Sequence, residues 1–187
     1  MDAMKLINKQ VLIKRLKQHN AFTNRYAVHA ITHAAHLFEF TLADETMFDL
    51  CCFHSIKASE ILSPPHWYGG RTYSFSQVIN RFIDLNLTFS DLTSGKASGG
   101  PYSPQWFQSC QSIDDNFDQS QLRTIVLQPI GFWEKRDCPT GLFRVLDGNH
   151  RLLVYGLKVA KQEINFEPLH GVMVIPGSVK YPKRRPS

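Results

Sequence analysis

The chain has little cysteine and no long apolar run, and each shortage excludes a class of protein. Four cysteines, Cys51, Cys52, Cys110 and Cys138, stand among 187 residues. Their spacing fits neither a disulfide framework nor a C-x-x-C metal knuckle. Cys51-Cys52 lies in an apolar run, which predicts buried thiols and a reducing, cytoplasmic setting. No stretch approaches the ~20 apolar residues of a membrane span. The N-terminus alternates Lys with short apolar runs and has no signal-peptide core. The expectation is a soluble chain with at most peripheral membrane attachment. Internal repeats are also missing. Ser94-Gly95-Lys96-Ala97-Ser98-Gly99-Gly100 lacks the G-x-x-x-x-G-K-[ST] spacing of a phosphate loop, so Thr93 to Pro101 reads as a mobile loop. No interleaving of aromatics with arginines supplies a stacking platform, which leaves base-specific readout without support.

What is present is ordinary in bulk: 43% hydrophobic and 20% charged residues, enough for one domain with a proper core. A net charge of +5 permits a polyanionic partner without demanding one. Residues 3–19 predict an amphipathic helix with Leu6, Ile7, Leu12, Ile13 and Leu16 on one side and lysines on the other. A second helix is expected from Thr23 to about Phe40, and a β-like run over Met47 to Ile56, followed by a turn at Ser63-Pro64-Pro65. Ser74 or Ser76 would cap a helix through Ile83. Strands at Arg123–Phe132, Phe143–Leu146 and Gly171–Ile175 flank a helix over about Asn149–Lys161. The resulting expectation is α+β, with an N-terminal helical extension over 1–48, a main domain over 49–178 and a basic tail over 179–187.

The most informative stretch is Phe143-Arg144-Val145-Leu146-Asp147-Gly148-Asn149-His150-Arg151-Leu152-Leu153. It reads as a strand, an Asp-Gly turn and a helix opening on His-Arg. A tight turn into a helix leaves several backbone N–H groups pointing one way, which suits an anion. Basic side chains in a first helical turn oppose the helix dipole, and a bound phosphate would supply the reason for them. Elsewhere, His29, His33, His36 and Glu39 recur at helical spacing, where i, i+4 pairs can ligate zinc. They lack the Glu of His-Glu-x-x-His, so a packed or interfacial helix is the preferred reading. Lys180, Lys183, Arg184 and Arg185 are candidate phosphate contacts to DNA, set against a plain solvated tail.

Gln128-Pro129-Ile130 followed by Phe143 to Arg151 resembles the second half of a ParB/sulfiredoxin-superfamily domain. Ile56 to Pro65 is similar to its opening strand and loop, so the resemblance spans roughly 50–176. It implies a small mixed sheet with helices and a nucleotide-phosphate site after Asp147. Members bind nucleotides and DNA, cut DNA, repair oxidised cysteine with ATP or phosphorylate serine, and small plasmid fertility-inhibition members combine nucleotidase and DNase activity. Where sulfiredoxins carry Gly-Cys-His-Arg, this chain has Gly148-Asn149-His150-Arg151, and Asn149 cannot replace a nucleophilic thiol.

The function this resemblance implies is an ATPase and DNase, with ATP or a related nucleotide and Mg²⁺ as cofactors and DNA as second partner. Gly148 would admit the phosphate, amides near Asn149 and His150 would donate to it, and Arg151 would grip it in a forked contact. Asp147 would either orient Arg151 or hold Mg²⁺ through water. His150 would serve the leaving oxygen. Glu60 would lie across the cleft as general base or metal carboxylate, and Arg71 would make a second phosphate contact. The alternatives are a small-molecule kinase with Glu60 as base, or a non-catalytic, nucleotide-gated protein whose N-terminal helices hold a protein partner.

Overall fold

The computed structural model describes residues 4–18, 25–53, 73–94, 104–119, 122, 124–131 and 140–177. Seven strands form one mixed sheet: β1 (Lys5–Leu6), β2 (Ala34–Leu42), β3 (Cys51–Phe53), β4 (Tyr73–Ser74), β5 (Ile125–Pro129), β6 (Phe143–Asp147) and β7 (Leu169–Pro176), in the order β1-β2-β7-β5-β6-β3-β4. The β5–β7 and β3–β6 ladders are parallel and the others antiparallel. Seven helices are described: α1 (Lys9–Gln18), α2 (Arg25–Thr32), α3 (Met47–Leu50), α4 (Phe75–Asp84), α5 (Phe89–Thr93), α6 (Pro104–Asp115) and α7 (Asn149–Ala160). None of them is long and apolar enough to cross a membrane.

Strand alternation divides the core in two. Ile125, Leu127, Val145 and Met173 face a large cluster with Phe48, Val78, Phe82, Phe107, Leu152 and Tyr155 from the helices. Val126, Val172 and Val174 face the opposite way, onto Leu12, Leu16 and Ile31 of α1 and α2. The sheet is therefore covered on both faces, with β5 buried at Ile125–Leu127 and β7 at Leu169 and over Gly171–Val174.

Four sequence expectations change in this frame. The helix expected from Thr23 to Phe40 stops at Thr32, and Ala34–Leu42 is a nine-residue strand. The reason is tertiary: Leu37 is needed in the smaller core and Phe40 and Leu42 in the larger one, and a strand reaches two opposite faces where a helix would present one stripe. The helix expected over 3–19 begins only at Lys9, because Lys5–Leu6 pairs with Glu39 and Phe38 of β2. Leu6 is consequently exposed, whereas Leu12 and Leu16 are buried as expected. The extension over 1–48 is thus not purely helical, since β2 lies inside the common sheet between β1 and β7. The β-like run from Met47 opens instead with the short helix α3 and becomes strand only at Cys51–Phe53.

Local signals elsewhere match the structure. Ser74 caps α4: its hydroxyl accepts from the Gln77 N–H at 3.2 Å, and the Gln77 side chain accepts from the Ser74 N–H at 2.9 Å, a reciprocal capping box. The later strands are observed at Ile125–Pro129, Phe143–Asp147 and Leu169–Pro176. Residues 95–101, the Ser63-Pro64-Pro65 turn and Cys138 lie outside the described residues.

Helix α7 is the central packing element. Gly156 lets it approach α3 and α4, because a Cβ there would stand 2.3 Å from Ile79 Cδ1 and 3.0 Å from Phe48 Cε1. At its far end Lys158 reaches Asp114 at 2.8 Å and Glu163 at 3.1 Å and lies over the Phe117 ring. That contact ties α7 to the end of α6. The opposite end of α7 faces the turn after β6.

Candidate functional site

Strand β6 ends at Asp147 and α7 starts at Asn149, so a single residue makes the joint. Gly148 does so with φ of 100° and ψ of 9°, a left-handed conformation in which a side chain costs energy. A Cβ at this position would also meet Ile125 Cδ1 at 2.6 Å. The turn runs this close to β5 only as glycine. No side chain caps the start of α7, which leaves its first turn reliant on other partners for its amides.

Asp147 and Arg151 stand one helical turn apart across the joint and form an ion pair, Nη2 to Oδ2 3.2 Å. Their side chains are 14% and 18% exposed, so bulk water screens the pair less than a surface bridge. Burial nevertheless holds the Asp147 carboxyl above the usual carboxylate range, against the opposing pull of Arg151 and the Gly148 N–H. A carboxyl whose desolvation outweighs an adjacent cation is characteristic of functional clefts, although structural ion pairs share the property.

A raised folded-state pKa fixes the sign of a pH effect. The folded chain binds the Asp147 proton more tightly than the unfolded chain does. Its stabilising contribution is therefore complete below the unfolded value, ~3.9, and is lost as pH rises through the higher folded value. Thermal melts of wild type and Asp147→Asn at pH 7 and pH 4 should show the difference in midpoint moving in favour of wild type as pH falls. An unchanged difference would show that Asp147 is not held in this state.

The other motif residues brace the turn. Asn149 Nδ2 donates to the Val145 carbonyl at 3.2 Å, tying the helix start back to β6, while its Oδ1 is buried without a hydrogen-bond partner among the described residues. The His150 ring stacks on Trp106 of α6, with centroids 4.4 Å apart and planes 33° apart, and its Nε2 is out of solvent. The structure thus brings Asp147, Gly148, Asn149, His150 and Arg151 together around one joint. Glu60 and Arg71, with Lys180, Lys183, Arg184 and Arg185, lie outside the described residues.

The histidine stripe does not form. His29 and His33 are exposed near the end of α2 with rings 4.1 Å apart, but His36 and Glu39 are on β2. Glu39 instead pairs with Arg15 and with His170. Among the described residues, no group of three or more His, Cys, Asp or Glu could hold a metal ion. The described cysteines are buried. Burial alone pushes the Cys51 thiol up to about 12 and, with Asp114 nearby, the Cys110 thiol further still, which leaves both unreactive at neutral pH.

No family model, curated protein or solved structure matches the chain. Local geometry therefore carries the functional argument. Trp106, which stacks on the motif histidine, was not among the residues expected at the site. The available signal was the spacing Trp106, Cys110, Ile113, Phe117, a helical stripe that puts Trp106 on the same packed face as buried Cys110.

Proposed function

We propose that the chain is a nucleotide-binding phosphohydrolase of the ParB/sulfiredoxin type. It hydrolyses ATP or a related nucleotide and takes DNA as a second partner and substrate. The observation that carries this reading is the joint after β6: an uncapped helix start behind a left-handed Gly148, with Arg151 held beside it by Asp147. An oxyanion of a phosphate would meet backbone amides along the helix dipole and a preoriented guanidinium.

In this reading Arg151 keeps one N–H on Asp147 and turns further donors to the phosphate, stabilising charge on the transferring or departing group. Asp147 orients Arg151, and burial of its carboxyl holds its pKa up against the pull of that cation. His150, its ring plane set by Trp106, supplies the leaving oxygen with a hydrogen bond or proton. Mg²⁺ would arrive with the nucleotide and neutralise the phosphates, with Asp147 in reach through water and Glu60 as the second carboxylate. DNA contacts are assigned to the tail residues Lys180 and Lys183–Arg185. A place in plasmid fertility inhibition, as for the family member Osa, would follow from the combined nucleotidase and DNase activity.

The test is phosphate release from ATP and nicking of supercoiled plasmid by the purified chain, with Mg²⁺ and again after chelation. Both activities should appear with the metal and vanish with the chelator. If neither appears, yet ATP raises the thermal midpoint, the site binds nucleotide without hydrolysing it. If ATP changes nothing at all, the nucleotide reading is wrong.

A further inference from the structure

A second constellation lies on the sheet face that α1 and α2 cover, and the site after Asp147 uses none of its members. Thr124 precedes β5, and its hydroxyl stands 2.9 Å from His170 Nδ1 of β7. The other ring nitrogen, Nε2, stands 3.3 Å from Glu39 Oε1 of β2. Glu39 is in turn held by Arg15 of α1. The register explains the meeting. Ile125 pairs with Gly171 and Thr41 with His170, so Thr124 is level with His170, and Glu39 sits diagonally across the β2–β7 ladder on the same face.

The Glu39 carboxylate beside Nε2 favours one arrangement of protons. With the imidazole proton on Nε2, facing the Glu39 carboxylate at ion-pair distance, Nδ1 carries the lone pair that accepts the Thr124 O–H. A hydroxyl whose proton points at a base, with the base oriented by a carboxylate, is the general form of an activated nucleophile. His170 is 40% exposed and Glu39 18% exposed at their side chains, so the base borders solvent while its orienting group is sheltered. Thr124 is 9% exposed, and its hydroxyl has no other described use.

We infer that Thr124, His170 and Glu39 form a second hydrolytic centre that acts on small carboxylic esters through an acyl-threonine. Thr124 Oγ1 attacks the ester carbonyl carbon and gives its proton to His170 Nδ1. The bond from carbon to the leaving oxygen breaks, and His170 returns the proton to that oxygen. Water, deprotonated by His170, then attacks the acyl-threonine, releasing the carboxylic acid and restoring the threonine hydroxyl. Thr124 and His170 are the catalytic residues, and Glu39 is a positioning residue, with Arg15 holding it.

The experiment uses the full chain and a fluorophosphonate probe, which forms an Oγ–P bond as fluoride leaves, read by intact mass and peptide mapping. One adduct at Thr124 is expected, with none in Thr124→Val and retained labelling in Thr124→Ser. His170→Ala should slow labelling by about a hundredfold or more and recover when free imidazole is added, which a purely structural histidine would not do. Glu39→Gln should slow it and Glu39→Asp should restore part of the rate. p-Nitrophenyl acetate should give a burst of one nitrophenol per chain that Thr124→Val lacks. Thermal melts accompany each variant, and His170→Gln replaces His170→Ala if that chain does not fold. The absence of an adduct in wild type, an adduct elsewhere, or an unaltered rate in a folded His170 variant would each overturn the inference. Activity at Arg151 is read separately with ATP, so the two centres fail independently.

Discussion

Tyr155→Ala should lower folding stability by ~3–5 kcal/mol, the cost of removing a large aromatic side chain from a packed core. Tyr155 is fully buried in the middle of α7. Its ring packs against Phe48 and Phe166, with centroids 6.1 and 5.7 Å away. The hydroxyl is fully engaged as well: it donates to the Glu167 carbonyl at 2.9 Å and accepts from the Glu167 N–H at 2.6 Å. Both bonds clasp the segment that leads from α7 to β7. Alanine would leave a cavity and strip both backbone groups of their partner together. Against a typical total of about 5–15 kcal/mol, that is a large fraction, and it should bring the thermal midpoint down by roughly 10 °C. Tyr155→Phe keeps the ring and isolates the hydroxyl, so it should cost about 1–3 kcal/mol. Urea titrations of the two variants read the difference directly. Equal losses would mean that the ring contributes little and that the packing described around it is wrong.

Arg151→Ala should reduce ATP turnover about 10²–10³-fold, the usual effect of removing one preorganised donor from a developing oxyanion. The argument rests on geometry and charge. Arg151 is the cation of the joint, its side chain is mostly out of solvent, and Asp147 already fixes its direction. Arg151→Lys retains charge but loses the planar fork, so it should recover only part of the rate. Removing the guanidinium also leaves the Asp147 carboxyl buried without its cation, which pushes its pKa further up. Melts of the variant must therefore accompany the rates. A folded Arg151→Ala chain that hydrolyses ATP at the wild-type rate would remove the joint from the mechanism. If Arg151→Ala stops ATP hydrolysis and leaves plasmid nicking intact, the two activities sit at different places.

Local signals were readable where neighbouring residues supply the physics. The Asp-Gly turn, the helix from Asn149 and the cap at Ser74 each depend on contacts within a few residues, and each is present. The same holds for Leu12 and Leu16, whose helical spacing already implied a buried stripe. The stretch from His33 to Leu42 was not readable in this way. Its alanines and histidines suit a helix locally, yet pairing with β7 over eight positions and service to two cores outweigh that preference. With the change from helix to strand, His36 and Glu39 share no helical face with His29 and His33, and the packed or interfacial helix expected there ends at Thr32. Glu39 gained His170 as a neighbour 131 positions along the chain, a contact no spacing rule encodes.

The sequence by itself determined the strand–turn–helix joint and the residues that surround it, because glycine alone tolerates that backbone and the helix must begin where the turn ends. It also determined that Cys51 and Cys52 would be buried thiols, since they stand in an apolar run. Only the tertiary structure decided that residues 34–42 are strand, that Trp106 covers His150, and that Thr124, His170 and Glu39 meet. Those outcomes depend on which distant segments share a face of the sheet, and burial energy settles that for the whole chain at once rather than for any local window.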